Sequence, residues 1–190
     1  MILPLIYYGH PILRQAGAKI EEVTPFIRRL ARDMIETMHS EHGAGLAAQQ
    51  IGHAIQLAVV DVRGINQPSQ LFVGVRETPL DSVMPWVLIN PVITHGEGEE
   101  KGSEGCLSFP GLVTEVSRAG TVHVSAMGWD GQLLQFVTTG LLSRVVQHEI
   151  DHLNGVLFID RMTTSVRKGL ENELRLLKKK TLSTLKKERQ

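Results

Sequence analysis

The chain is organised around Gln147-His148-Glu149-Ile150-Asp151-His152, a segment with two histidines four residues apart and a carboxylate between them. Positions i and i+4 of an α-helix lie on one face, so His148 and His152 can bind one metal ion. Glu149 follows the first histidine and can transfer protons beside that ion. The H-E-x-x-H pattern also occurs by chance, so the alternative is a helix that happens to carry two core histidines.

The residues around this pattern predict a helix whose histidines face the core. Leu141 and Val145 precede His148 and His152 at the spacing i, i+4, i+7 and i+11, which places the four side chains on one face. Gly155 then predicts the end of the helix.

The composition is typical of one globular domain. The chain has 190 residues, of which 42% are hydrophobic and 21% charged, and its formal net charge is zero. This balance gives no reason to expect DNA binding. Residues 1–8 are apolar but short and lack a basic leader, so we expect no signal peptide, no membrane span and no secretion. Cys106 is the single cysteine, which excludes internal disulfides and fits a reducing compartment.

Periodicity and turn signals divide the chain into elements. Thr24 and Pro25 predict the start of an amphipathic helix that ends near residue 39. Strands are predicted at residues 57–62, 86–93, 112–117, 121–127 and 133–138. The stretch 63–85 is predicted to be a loop region with room for one edge strand, and residues 95–105 a mobile, Gly-rich polar loop.

The order of these elements predicts an α+β fold. Antiparallel or mixed β-sheets would pack around a central helix that carries H-E-x-x-H, followed by a C-terminal helix. We expect residues 1–164 to form a single catalytic domain. Residues 165–190 would form a basic helix that packs on this domain or extends from it, with nine Lys or Arg against three Asp or Glu. A solvated helix face is the favoured interpretation of this charge, and contact with RNA is the alternative.

A catalytic metal needs a third protein ligand and one open position. A third histidine in the pattern H-E-x-x-H-x-x-G-x-x-H is absent, because Phe158 occupies its position. Glu171 and Glu173 lie near the distance used by zinc endopeptidases with a downstream Glu ligand. Cys106 offers a thiolate, although a free cysteine can also be a small buried core residue or a nucleophile.

Three segments in order resemble the signature motifs of the peptide deformylases. They are Gly43-Ala-Gly-Leu-Ala-Ala-Gln-Gln50, Glu104-Gly-Cys-Leu-Ser108 and His148-Glu-Ile-Asp-His152. The opening Tyr8-Gly-His-Pro-Ile-Leu-Arg14 is also similar to the N-terminal segment of that family. The resemblance extends from about residue 3 to 162, and the combination is far more specific than any one motif.

The resemblance implies a role for each matching residue. Cys106, His148 and His152 would be the metal ligands, and Glu149 the catalytic carboxylate. The amide of Gln50 and the backbone N–H of Leu107 would stabilise the oxyanion. The backbone around Gly45 would contact substrate, and Ala44, smaller than the usual Val or Ile, would enlarge the side-chain pocket. Leu141 and Val145 are expected to line the pocket for a methionine side chain.

The implied activity is removal of the N-terminal formyl group from formyl-methionine of nascent polypeptides. Metal-bound water would attack the formyl carbon while Glu149 acts as general base and then as general acid. One divalent ion per chain is expected, with Fe²⁺ favoured by the resemblance and Zn²⁺, Ni²⁺ or Co²⁺ as substitutes. The protein would be cytoplasmic, as in bacteria, or organellar, and the basic C-terminal helix would meet the ribosome. A zinc endopeptidase and a metal-stabilised binding module remain the alternatives.

Overall fold

The computed structural model describes residues 1–187 of the chain and has an α+β architecture. Nine strands form two antiparallel sheets: β1 (Gly45–Ala47), β2 (Leu57–Val60), β3 (Ser69–Val73), β4 (Arg76–Glu77), β5 (Trp86–Glu97), β6 (Glu100–Gly105), β7 (Val113–Arg118), β8 (Thr121–Met127) and β9 (Leu133–Thr139). Seven of them form one sheet in the order β1-β2-β5-β8-β9-β3-β4, and β6 pairs with β7 as a separate hairpin. The antiparallel α+β fold is therefore as the sequence predicts.

Helix α1 (Pro25–Ser40) begins where the sequence predicts. The Thr24 hydroxyl accepts a hydrogen bond from the backbone N–H of Ile27 at 3.3 Å, and Pro25 occupies the first turn, where its missing N–H costs nothing. The inner face of the helix buries Ile27, Leu30, Met34 and Met38 against β1, β2 and β5.

Helix α2 (Gly140–Leu153) carries the H-E-x-x-H pattern. It contacts β1, β2, β3 and β9, and from Leu142 onward nearly all of its side chains are buried. The helix ends at Leu153, and Gly155 follows with φ +72°, a left-handed backbone conformation that favours glycine. The end of the helix predicted from Gly155 is therefore confirmed.

The stretch 95–105 is not the predicted mobile loop. Its first part completes β5, which runs to Glu97, and its second part is β6, paired with β7 along its full length. Backbone pairing outweighs the polar, Gly-rich composition here. Gly102 also allows the Arg144 guanidinium to lie over the strand. A Cβ on residue 102 would sit only 2.9 Å from the nearest guanidinium nitrogen of Arg144.

Two further predictions need adjustment. Residues 63–85 contain two strands rather than one: β3 pairs with β9, and β4 pairs with β3. The chain after residue 164 forms two helices, α3 (Thr164–Gly169) and α4 (Glu171–Lys187), instead of one. Leu170 ends α3 because its N–H bonds back to the Arg167 and Lys168 carbonyls, next to the weak helix former Gly169. The predicted helix extends to residue 190, and its last three residues lie outside the described part.

Helix α4 packs on the rest of the chain through one side only. Leu174 is buried in a cluster with Phe109 and Phe158, whereas Leu176 is 63% exposed. Among the helices of residues 1–187, none is long and apolar enough to cross a membrane.

Candidate active site

Two distant parts of the chain bring three candidate metal ligands together. Cys106 directly follows β6, and His148 and His152 lie one turn apart on α2. The Cys106 Sγ atom lies 3.2 Å from His152 Nε2, and the centroids of the two imidazole rings are 4.9 Å apart. One donor atom from each of the three residues lies within 4.8 Å of the others.

The segment that presents Cys106 is fixed by an aromatic anchor. The Phe109 N–H donates to the Cys106 carbonyl oxygen at 2.8 Å, which closes a tight turn after β6. The fully buried Phe109 ring stacks on Tyr8 at 4.7 Å and meets the Phe158 ring edge-on at 5.0 Å. The turn that carries the thiol is therefore held in place by the contacts of the Phe109 ring with Tyr8 and Phe158.

Glu104 orients the first histidine. Its Oε2 atom lies 3.1 Å from His148 Nδ1, so the Nε2 atom of this ring is left to face the site. Burial opposes the charge of Glu104, but hydrogen bonds from Arg118 and His148 hold the pKa of its carboxyl far below the usual range. Arg144 donates a further bond to the same carboxylate at 2.9 Å. Sequence reasoning gave Glu104 no role, because it placed this residue in a mobile loop.

The two histidines respond differently to this environment. Burial lowers the pKa of His152 well below its ordinary value, which favours the neutral ring that binds metal. Burial has the same effect on His148, but hydrogen bonds to Cys106 and Glu104 outweigh it and raise the pKa of this ring.

Glu149 is a buried carboxyl that directly follows His148 on α2. The side chain is 3% exposed, and its Oε2 atom has no hydrogen-bond partner within residues 1–187. Burial, with a smaller contribution from the charge of Glu104, raises the pKa of Glu149 to about 7. Gly45 lies against it so closely that a Cβ there would sit 2.3 Å from Oε1.

Gln50 and Gln49 have different surroundings although both are buried. The Gln50 Oε1 atom accepts from the Ala47 N–H at 2.8 Å, which turns its amide nitrogen towards Cys106 Sγ, 3.5 Å away. The Gln49 amide nitrogen instead donates to the carbonyl of Leu153 at 3.2 Å. Gln50 therefore directs N–H groups into the site, and Gln49 does not.

A cleft of about 430 Å³ opens over these residues. Its lining includes every site residue predicted from the sequence except His152, which is 1% exposed and lies behind the lining: Ala44, Gly45, Gln50, Cys106, Leu107, Leu141, Val145, His148 and Glu149. The cleft is also lined by Glu41 and His42, two exposed residues that directly follow α1. The sequence analysis does not single out either residue.

The residues present fit a divalent metal ion. A thiolate and two imidazoles suit Zn²⁺ or Fe²⁺, and three protein ligands leave a coordination position open. Within the described chain, the only group of three such donors that meets this spacing is Cys106, His148 and His152. Glu171 and Glu173 do not join it: both are exposed on α4 and neither lines the cleft. The Glu149 carboxyl, one of whose oxygens is buried without a hydrogen-bond partner within residues 1–187, lines the same cleft as Cys106 and His148.

Comparison with known proteins agrees with this geometry. The family model described as polypeptide deformylase matches residues 2–168. The peptide deformylase of Methylacidiphilum infernorum is 42% identical over 179 residues, which cover 94% of each chain. The peptide deformylase of Opitutus terrae is 39% identical over 188 residues, which cover 98% of each chain.

Solved structures give the same result. The crystal structure of a peptide deformylase from Thermus thermophilus superimposes with a TM-score of 0.79 and 37% identity, over 95% of this chain and 99% of that one. A plant peptide deformylase gives a TM-score of 0.82 at 34% identity, over 96% and 92% of the two chains. Sequence, fold and metal-ligand geometry converge, and the chain belongs to the peptide deformylase family, a membership that implies removal of the N-formyl group from nascent peptides.

Proposed function

We propose that this chain hydrolyses the formyl amide of N-formyl-methionyl peptides at the cleft over α2. The observation that carries the proposal is the meeting of Cys106, His148 and His152, together with a buried Glu149 carboxyl that lines the same cleft as Cys106 and His148. A hydrolytic site needs an ion, a base and room for the reacting amide, and the cleft borders the residues suited to all three.

Cys106, His148 and His152 would hold one divalent ion, with Fe²⁺ proposed as native and Zn²⁺, Ni²⁺ or Co²⁺ as substitutes. When bound, such an ion lowers the pKa of a coordinated water from about 15.7 to about 7 and polarises a carbonyl oxygen. Glu104 would support the ion indirectly, by fixing which nitrogen of His148 faces it.

Glu149 would move the proton in this reaction. Its carboxylate takes a proton from the attacking water as the new C–O bond forms, and gives it to the amide nitrogen as the C–N bond breaks. Formate and a free amine are the products. Burial raises the pKa of this carboxyl, so it holds a proton more readily than an exposed glutamate does, which suits a group that must accept a proton and then release it.

Gln50 and Leu107 would stabilise the charge that develops on the formyl oxygen. The Gln50 amide is already directed at the site by its bond to Ala47, so it needs no reorganisation during the reaction. The backbone N–H of Leu107 would be the second donor. Each such donor contributes on the order of 3 kcal/mol to transition-state stabilisation.

Substrate selection would depend on the small residues and the apolar wall of the cleft. The backbone at Gly45 would contact the peptide, and Ala44, Leu141 and Val145 would surround the methionine side chain. A formyl group is small, so a narrow approach beside Gly45 admits it and excludes bulkier acyl groups.

The test is turnover of formyl-Met-Ala-Ser with metal analysis under anaerobic conditions. Wild type should release formate and contain one ion per chain. Glu149→Ala should keep the ion and lose nearly all turnover, whereas Cys106→Ala should lose the ion. Full activity in Cys106→Ala would reject the proposal, and so would cleavage of internal peptide bonds in place of the formyl amide.

The proposal extends to the setting of the enzyme. We infer one catalytic domain over residues 1–164, with its sheets packed around α2, and a basic C-terminal helical part over residues 165–190. Its partners would be nascent formylated chains and, through the exposed lysines of α4, the ribosome, with no role for membranes or DNA. The location would be the cytoplasm of a bacterium or an organelle, not the outside of the cell.

A further inference from the structure

A second group of side chains with donor atoms that metals use, two His and one Glu, lies on the outer face of the large sheet, on strands β5 and β8. His95 and Glu97 are on β5, and His123 is on β8. The two histidines are register partners, and their rings meet edge-on with centroids 5.4 Å apart. The side chains are 60%, 60% and 42% exposed, respectively, so solvent and ions reach them.

A β-bulge creates this arrangement. Ile93 pairs with Val124 and packs on the core side, so regular alternation would turn His95 towards the core as well. Instead the register shifts at Thr94, and His95 becomes the partner of His123 on the outer face. Glu97, two residues further along β5, then shares this face. The bulge therefore places three donors on one surface. Regular pairing would put His123 on the opposite face from His95 and Glu97.

One carboxylate oxygen is shared by both imidazoles. Glu97 Oε1 lies 3.3 Å from His95 Nε2 and 3.7 Å from His123 Nε2. Ligand atoms bound to one ion at about 2.1 Å with tetrahedral angles lie about 3.4 Å from each other. Both nitrogen–oxygen distances are thus close to those in a tetrahedral site. The two nitrogens are further apart than in the Cys106 site, so ion binding needs a rotation of one exposed ring.

From this geometry we propose that His95, Glu97 and His123 form a peripheral site for a first-row divalent cation such as Zn²⁺, separate from the catalytic cleft. Two imidazoles and a carboxylate are a donor set that Zn²⁺, Cu²⁺ and Ni²⁺ prefer over Mg²⁺ or Ca²⁺. None of the three residues lines the cleft. The site does not depend on the proposed activity. Its ion would be held more weakly than the catalytic ion, because the three ligands are exposed to solvent.

The test is equilibrium dialysis of the holoenzyme against micromolar Zn²⁺, with bound metal counted per chain. Wild type should take up one equivalent beyond the catalytic ion, and an excess of Mg²⁺ should not displace it. His123→Asn should lose the extra equivalent and keep both the catalytic ion and full turnover of formyl-Met-Ala-Ser. Glu97→Gln should weaken the extra binding at least several-fold.

His53→Asn is the matched control, since His53 is a partly exposed histidine next to Phe26 rather than to other metal-binding groups. It should retain the extra equivalent. Absence of an additional ion in the wild-type holoenzyme would overturn the proposal, and so would an additional ion that persists in His123→Asn. The catalytic assignment is tested independently by the turnover and metal content of Cys106→Ala and Glu149→Ala, so the two proposals fail separately.

Discussion

Gly45 shows how a single missing side chain shapes the candidate site. Its Cα lies where any Cβ would collide with the Glu149 carboxylate, at 2.3 Å from Oε1. The same residue belongs to β1 and is paired with Val60, so its backbone cannot move away without loss of the sheet edge. The carboxylate must therefore move instead if Gly45 gains a side chain.

We expect Gly45→Ala to reduce turnover of formyl-Met-Ala-Ser by about 100-fold or more, the range for loss of a positioned general base. The metal content should stay at one ion per chain, because no ligand is displaced. Steady-state kinetics with metal analysis measures both. Gly169→Ala is the control, since a Cβ there meets nothing within 4 Å. Unchanged turnover in Gly45→Ala would show that Glu149 tolerates displacement and is not the base.

The sequence identifies the three candidate ligands but not the side chain that orients one of them. Cys106, His148 and His152 follow from donor chemistry, spacing and the family motifs, and the structure places them together. Glu104 was missed because its partner Arg118 is 14 residues away and its role depends on tertiary contacts. The segment Glu104–Ser108 resembles a family motif, but the motif does not reveal that this carboxylate bonds two arginines and a histidine.

The β6–β7 hairpin and helix α2 are joined by buried charges. Glu104 on β6 bonds Arg118 on β7 at 2.8 and 3.0 Å, and Arg118 also bonds Asp151 on α2. Arg144, again on α2, donates to the Val116 carbonyl at 2.8 Å and the Glu100 carbonyl at 2.8 Å. Since Cys106 follows directly after β6, this network sets the distance between the thiol and the two imidazoles.

Glu104→Gln should destabilise the protein by about 3 kcal/mol, because removal of one partner leaves buried guanidinium charge without its carboxylate. It should also weaken metal binding 10- to 100-fold, as expected when the group that orients a ligating histidine is lost. Urea denaturation and a competition assay with a chelator measure the two effects. Glu99→Gln, on an exposed residue of the same region, should change stability by less than about 0.5 kcal/mol. Equal effects in both variants would contradict the role of the network.

The accuracy of the sequence prediction also varies between elements. The bounds predicted for β8 and the start of α1 are confirmed, because alternating valines and a Thr-Pro cap are strong local signals. The prediction for residues 95–105 was wrong, because β6 is polar and exposed and is stabilised by its pairing with β7 and by Arg144. Local composition cannot report hydrogen bonds to a strand that comes later in the chain.

Across the whole molecule, Asp160 connects the N-terminal segment to the start of the C-terminal helices through ion pairs. It forms an ion pair with Arg14 of the N-terminal segment, accepts from the Leu157 N–H at 2.9 Å, and lies 3.5 Å from Arg167 of α3. Burial opposes its charge, but the bonds from Arg14 and Leu157 dominate and lower the pKa of Asp160. The folded state therefore favours the ionised carboxylate more than the unfolded state does.

This pKa shift gives a pH-dependent prediction. A carboxyl with a lowered pKa stabilises the fold above its unfolded-state pKa of 3.8, and that contribution is lost as the pH falls through the lower, folded-state pKa. Asp160→Asn should cost about 1 kcal/mol at pH 7, and the difference from wild type should shrink below pH 4. Thermal melts from pH 3 to pH 7 measure it. A difference that is constant with pH would show that the charge of Asp160 is not responsible.

Helix α4 presents a basic face to solvent. Lys178, Lys179 and Lys180 are exposed, while Leu174 anchors the helix to the rest of the chain. Replacement of the three lysines by Gln should weaken co-sedimentation with ribosomes and lower the salt dependence of binding by about one unit of slope per lysine. Replacement of all three by Arg keeps the charge and should retain binding. Identical sedimentation of the Gln variant and wild type would remove the ribosome from the proposal.

The separation of the ligands along the chain has a consequence for the life of the protein in a cell. Cys106 and His152 are 46 residues apart and meet only when the hairpin packs on the helix, so a cation that needs both ligands would bind the folded form and not the unfolded form. A cation at 100 times its dissociation constant would then add about 2.7 kcal/mol to the free energy of unfolding. During metal starvation, proteases would remove this enzyme before they remove neighbours that need no metal, and its abundance would follow the supply of its cofactor.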